Sequence, residues 1–270
     1  MKYRLYVPAT TTHNSLTSNI ITAKFAKGET ALAKNTKIDV DKLSNRTTDK
    51  LRVTIGNSPK QKVSVQEYNY KTKKWVNKSS VTSSNTTKTQ TVLLPYPKLS
   101  AGNHKLRISI AGNANFDGKS SGSKTVKYIN PNSYKGTSKT VYNYVKKYCP
   151  GVTIDVKTLK KGIAGTAAFP KNHINISKKI SGKQLKDTSL HECGHILQLN
   201  AFNEDTTTLT KRANAVYKSK KYSGIELQAD CIVQVMTGKE LLKYHSYKGY
   251  KKCTSRELAA AKKIVQGKRF

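Results

Sequence analysis

The chain changes its hydrophobic period once, near residue 130, and this change constrains the fold more than any other feature. Before it, short runs alternate apolar and polar residues: "NIITAKF", "KLRVTIG", "QKVSVQEY", "TQTVLLP", "HKLRISI" and "SKTVKYI". Alternation sends every second side chain to one face, the pattern of a strand buried on one side. Turn-forming stretches such as "IGNSP", "LSAGN" and "AGNANFDGKSSGS" separate the runs. No helical period appears, so residues 1–130 are expected to form an all-β antiparallel sandwich. Trp75 follows "YKTKK", which reads as a hairpin turn leading into a strand, and is expected in the core.

"INPNSYKGTS" breaks the pattern with Pro, Asn, Gly and Ser, and residues 131–139 read as a linker. Helical spacing follows. Val141, Tyr144, Val145 and Tyr148 recur at three and four residues in "KTVYNYVKKYC". "GVTIDV" reads as a short strand, and "GIAGTAAFPKNHINIS" as a glycine-bearing turn and an alternating strand. "SGKQLKDTSLHECGHILQLNAF" is the next helix, with Ser181 or Asp187 at its start. "SGIELQADCIVQVMTGKELLKYH" is another, ending or bending near Gly238. "TSRELAAAKKIVQG" closes the chain, with Thr254 or Ser255 as cap, Glu257 completing a capping box and Gly267 at its end. Residues 140–270 are therefore expected to be α+β. The hydrophobic share of 36% is low, yet sufficient for two modest cores.

The second half also carries chemistry. His191 and His195 in "HECGH" are one helical turn apart, so both imidazoles lie on one face and can share a metal ion. Glu192 projects beside them, where it can take a proton from a water that the metal activates. Gly194 allows close approach of a strand or of substrate. Two such histidines also occur on ordinary helix surfaces. Zinc needs a third protein ligand and an open fourth position, and "IELQADC" supplies acids 31 and 35 residues after His195: Glu226 and Asp230, themselves one turn apart.

"HECGH" together with "ELQADC" resembles the neutral zinc metallopeptidases of bacteria, a branch of the HExxH zincins, and more broadly the small gluzincins. The resemblance covers about residues 140–250. It implies a zincin-like domain in which His191, His195 and Glu226 bind Zn2+, Glu192 is the general base, and Asp230 orients His191 from behind. Asp230 as the third ligand is the alternative. Donors to a tetrahedral oxyanion are sought among His245, Tyr222 and Tyr217. "HINIS", with His173, is taken as the edge strand that holds an extended substrate by backbone pairing, although a surface histidine would look the same. The first half is similar to bacterial immunoglobulin-like or fibronectin-like modules in "VQEYNYKTKKWV" and "LSAGNHKLRISIAGNANFDGKSSGSKTVKY", which bind or space and carry no catalytic residue.

Cys193 lies two residues from His191, about 200° around a helix, and so points away from a metal held there. Cys231, five residues after Glu226, is also off that direction. Four cysteines permit three pairings. Cys149–Cys193 with Cys231–Cys253 is favoured, since each bond would tie a motif helix to its neighbour; four buried thiols are the alternative. Disulfides suit an extracellular or cell-surface protein. The first residues contain no apolar leader segment, which leaves a cytoplasmic chain, another export route or a missing leader.

The formal charge of +35 is spread along the chain. Residues 1–130 carry 23 Lys+Arg against 6 Asp+Glu, a net +17; residues 131–270 carry 27 against 9, a net +18. Such a field attracts polyanions, including cell-wall or matrix polymers. Nucleic acid is not an expected partner, because no helix-turn-helix, finger or RNA-binding signature is present. No segment has the length and apolarity of a membrane span, and a monomer is expected. The reading is a zinc-dependent peptidase acting on protein or peptide substrates, targeted by a basic β-sandwich. Its rival is an inactive surface protein that adheres to anionic polymer.

Overall fold

The computed structural model describes residues 36–270 except 57–58, 87, 169–171, 219–221 and 240–252; before residue 36 it describes five two-residue strands. Of these, β1 (Lys2–Tyr3) pairs with β4 (Ile21–Thr22), and β2 (Tyr6–Val7) with β3 (Leu16–Thr17). The predicted strand "NIITAKF" lies mostly outside the described residues.

Two sheets face each other in the first half. One has the order β10 (Gln90–Pro95), β7 (Lys50–Gly56), β5 (Ala31–Leu32). The other runs β6 (Lys42–Ser44), β13 (Lys124–Ile129), β11 (Gly102–Ile110), β8 (Lys62–Asn69), β9 (Lys74–Thr82), with β12 (Lys119–Ser120) added beside β11. Neither closes into a barrel. Their alternating residues meet in one aliphatic core: Val53 and Ile55 from β7, Leu94 from β10, Val63 and Val65 from β8, and Leu106, Ile108 and Ile110 from β11 are at most 1% exposed. The expectation of a purely antiparallel arrangement needs one correction. β6 runs parallel to β13, with Leu43 opposite Tyr128. Trp75 is also corrected. It stands half-buried on the outer side of β9 and is absent from the core, because Val76, not Trp75, has the inward parity of that edge strand.

The stretch read as a linker is structured. Asn130 caps a 3-10 turn at Pro131–Ser133, and α1 (Gly136–Val145) begins at once, burying Val141, Tyr142 and Val145. A further sheet of three strands follows in the order β14 (Thr153–Lys157), β16 (His173–Ser177), β15 (Gly165–Ala168). β16 is parallel to β14 and antiparallel to β15. "HINIS" is therefore the central strand, contrary to its reading as the edge, and β14 and β15 are the two edges. Alternation identified it as a strand, but flanking partners decide its place in a sheet. Among the described residues four helices follow: α2 (Gly182–Ala201), α3 (Thr206–Val216), α4 (Gly224–Thr237) and α5 (Ser255–Val265). Ser181 sits at the α2 cap position, Gly238 ends α4 with φ 68°, and Thr254 with Glu257 forms the capping box of α5. Among the described residues no helix is long and apolar enough to cross a membrane.

The two halves touch along β6, β7 and the loops beside them. Lys42 pairs with Asp155 at 2.7 Å, the Asn172 N–H donates to Asp49 at 3.2 Å, and Arg52 donates to the Asn203 carbonyl at 2.8 Å.

Candidate metal centre

α2 lies in the interior with polar residues on its buried side. His191, Glu192 and His195 are 1%, 5% and 5% exposed. Burial of such groups is costly unless each is partnered, and here partners come from α4. Gly194 makes the approach possible, but toward a helix and not the strand or substrate expected of it. A Cβ at Gly194 would lie 3.2 Å from the Ala229 carbonyl oxygen of α4.

That packing brings Glu226 and Asp230 across from the two histidines. The Nδ1–H of His191 donates to Asp230 Oδ1 at 2.8 Å, with Asp230 only 1% exposed. Its Nε2 then faces Glu226 Oε2 at 3.0 Å and His195 Nε2 at 3.1 Å. His195 Nε2 lies 3.5 Å from the same Glu226 oxygen. On the other side of the His195 ring, Nδ1 donates to Gln198 Oε1 at 2.8 Å. Gln198 is fixed in turn: its amide donates to the Ile225 carbonyl at 2.8 Å and to Gln228 Oε1 at 3.0 Å. Nδ1 of each ring is taken up by Asp230 or Gln198, so both Nε2 atoms are turned to one carboxylate oxygen, where they can donate protons or, without them, hold a metal ion.

Two ring nitrogens and a carboxylate oxygen this close need positive charge among them, as protons on Nε2 or as one metal ion. Ligand atoms of His191, His195 and Glu226 lie within 4.8 Å of one another, as a single metal ion requires. The titration behaviour agrees. Burial alone would lower the His191 imidazole, but its bonds to Asp230 and Glu226 outweigh burial and raise it to about 9. Burial would raise Glu226, but hydrogen bonds from the two histidines hold its carboxyl well below the usual carboxylate range. The pocket thus favours positive charge, and two imidazoles with one carboxylate suit a borderline-soft divalent ion. Asp230 is taken up by the His191 Nδ1, which leaves Glu226 as the acid facing both Nε2 atoms.

Glu192 projects toward β15. A Cβ at Gly165 would lie 3.0 Å from Glu192 Oε1 and 2.6 Å from Thr188 Cγ2, so only glycine lets this strand run so close over the helix. The general-base candidate is therefore roofed by this edge strand.

The remaining site residues fall elsewhere. His245 lies outside the described residues. Tyr222 packs, half-buried, against the core shared by α2, α4 and α5. Tyr217 is corrected: it is 1% exposed and its hydroxyl donates to the Glu257 carbonyl, so it has no access to substrate. His173, half-buried and on the central strand of its sheet, bonds Thr153 at 2.7 Å and Asn175 at 3.1 Å. Both favoured disulfides are present, Cys149–Cys193 and Cys231–Cys253, with Cα atoms 6.1 and 5.9 Å apart. They brace α2 and α4 from the sides away from the histidines. Gln198 and Gly165 were missed in the sequence. The signal for Gln198 was its i+3 spacing from His195, the same helix face; nothing local marked Gly165 as the roof of Glu192.

No protein-family model and no curated protein matches the chain. Among solved structures, one neighbour is a family 76 glycoside hydrolase from a bovine Bacteroides thetaiotaomicron strain, at 13% identity and a TM-score of 0.21. The match covers 64% of this chain and 34% of that one, so this chain spans about a third of its length. A TM-score of 0.21 carries neither fold nor activity across.

Proposed function

We propose that the protein is a zinc-dependent peptidase that hydrolyses peptide bonds in protein or peptide substrates, with Glu192 as general base. The observation that carries this reading is the convergence of His191 Nε2, His195 Nε2 and Glu226 Oε2, each histidine fixed from behind. His191, His195 and Glu226 would hold the ion, and Asp230 and Gln198 would keep both imidazoles in the binding tautomer. When bound, zinc supplies Lewis acidity, lowering the pKa of water and polarising a carbonyl. The Glu192 carboxylate, next to the ligand His191, accepts the proton of the attacking water and delivers it to the leaving nitrogen. Burial beneath β15 restricts bulk water around it. The open side of β15 is the position for an extended substrate, and Tyr222 or His245 is proposed as the oxyanion donor. The two disulfides support an extracellular or cell-surface setting, and the basic first half would serve as the targeting part.

A second reading, favoured by net positive charge in both halves, is an inactive adhesin for anionic polymer. Hydrolysis of casein or a quenched peptide separates the two. Glu192→Gln is expected to keep the fold and to lose roughly 10²–10⁴-fold in rate, the scale of a general base. Equal hydrolysis by both proteins would sink the mechanism, and none by either would favour adhesion.

A further inference from the structure

The displaced tryptophan marks a second site. Trp75 on β9 sits directly opposite Tyr68 on β8, with ring centroids 5.2 Å apart at 60°. Tyr70, in the turn between them, packs edge-on against Tyr68 at 5.1 Å. β11, beside β8, brings the Arg107 guanidinium to 4.3 Å from the centre of the Trp75 ring and the Lys105 ammonium to 5.5 Å from that of Tyr68. Arg107 also donates to Gln66 at 2.8 Å, and Gln66 donates to Asn77 at 2.8 Å. All these side chains share the outer face. Leu106 and Ile108, which alternate with Lys105 and Arg107, are fully buried in the core on the other side.

The core does not need these rings, since none belongs to it. Large apolar groups left on a solvent face call for an explanation. Among the described residues three large hydrophobics are exposed, and the most exposed of them, Tyr70 at 67%, belongs to this cluster. β9 is also the sheet edge opposite β6, the strand whose Lys42 meets the helical half. The hairpin thus presents a cluster of mutually tilted aromatic rings interleaved with amides and cations.

That combination fits an acidic sugar polymer. Pyranose C–H bonds pack on aromatic faces, hydroxyls pair with side-chain amides, and uronate carboxylates pair with guanidinium and ammonium groups. Single-stranded nucleic acid uses aromatic stacking and cations too. The two disulfides favour an extracellular setting, where acidic polysaccharides are accessible ligands. We propose that the outer face of the β8–β9–β11 sheet, centred on Trp75, Tyr68 and Arg107, binds an acidic polysaccharide. The inference deepens the targeting part of the proposed function. Binding and hydrolysis are read by separate signals, so either can fail alone.

Trp75 is the chain's one tryptophan, so its emission reports this face directly. The full chain is titrated with polygalacturonate, with neutral dextran and with a single-stranded oligonucleotide. Polygalacturonate is expected to shift the emission saturably and dextran to leave it unchanged. By affinity electrophoresis, Trp75→Ala and Arg107→Gln should each bind at least tenfold more weakly. Tyr70→Ala, an exposed turn substitution that leaves the core untouched, should weaken binding several-fold. Lys262→Ala on distant α5 and Glu192→Gln should bind like the parent. Equal weakening by Lys262→Ala and Arg107→Gln would reduce the effect to net charge and overturn the site. Equal binding of dextran would overturn the acidic class. Tighter, Trp75-dependent binding of the oligonucleotide would overturn the choice of polysaccharide.

Discussion

The two halves of the molecule build their interiors by opposite rules. Between the sheets of the first half, the core is aliphatic apart from Tyr96 and Tyr128, and polar residues are kept to its margins. Between α2 and α4, the seam buries His191, His195, Gln198, Gln228 and Asp230, with Glu192 buried beside it under β15. Replacing such a polar set by well-packed apolar residues is often neutral or stabilising, so stability does not account for keeping it. The bracing is distributed to match. Both disulfides lie in the second half, and each flanks the seam. Under the proposed function, that bracing would keep the seam's metal donors in place.

The largest effect that can break this comparison is removal of one brace. Cys231→Ser with Cys253→Ser opens a cross-link 22 residues apart in sequence, which is expected to cost about 3 kcal/mol. Thermal unfolding followed by Trp75 emission and by far-ultraviolet circular dichroism would then separate into two transitions, the helical one moving down and the β one staying in place. Coincident movement of both would show that the halves do not differ as described.

A smaller effect probes the seam itself. Asp230→Ala removes the acceptor for His191 Nδ1 and is expected to weaken zinc affinity roughly 10–100-fold, as loss of an orienting partner does. Gln198→Leu should act in the same direction on His195. Competition against a chelating dye measures both. Unchanged affinity in Asp230→Ala would mean that Asp230 is a structural acid and not a positioning residue.

The smallest expected effect lies where the halves meet. Burial raises Asp49 to about 7, against hydrogen bonds from Asn172 and Thr47. Burial, then the nearby charges of Asp49 and Asp39, raises Glu204 to about 8, opposed by Arg52 and Lys50. Both folded-state values exceed the ordinary carboxyl values of 3.8 and 4.5. Their protonated forms therefore stabilise the fold fully below pH of about 4, and that contribution is lost as pH rises through 7 and 8. Glu204→Gln should match the parent near pH 4 and melt a few degrees higher at pH 8.5, the shift expected of about 1 kcal/mol. A melting difference that does not change with pH would rule out this account of the junction.

Much of this was legible along the chain, and the gaps have physical causes. HECGH and ELQAD stood out because ionisable residues at helical spacing interrupt apolar runs, and spacing alone places them on one face. The α5 cap was legible because Thr254 and Glu257 complete a local hydrogen-bonded box. Sheet order was not local. "HINIS" alternates like any strand, and only pairing with both β14 and β15 makes it central. β15 itself, "GTAA", carries little strand signal, because Gly and Ala are poor strand formers; it is held by antiparallel pairing with β16, and Gly165 leaves the room for its close pass over Glu192. Trp75 was misplaced because its parity depends on register against Tyr68, with a bulge beyond it near Val65 and Gln66, and neither can be read from β9 alone.

The central claim is that α2 and α4 bring three donors together for one zinc ion. Metal analysis of the purified full chain, alongside His195→Ala and Glu192→Gln, tests it most directly. The account expects one zinc per chain in the parent and in Glu192→Gln, and loss of the metal in His195→Ala. A parent chain that takes up no zinc, or a His195→Ala chain that keeps it, would contradict the claim.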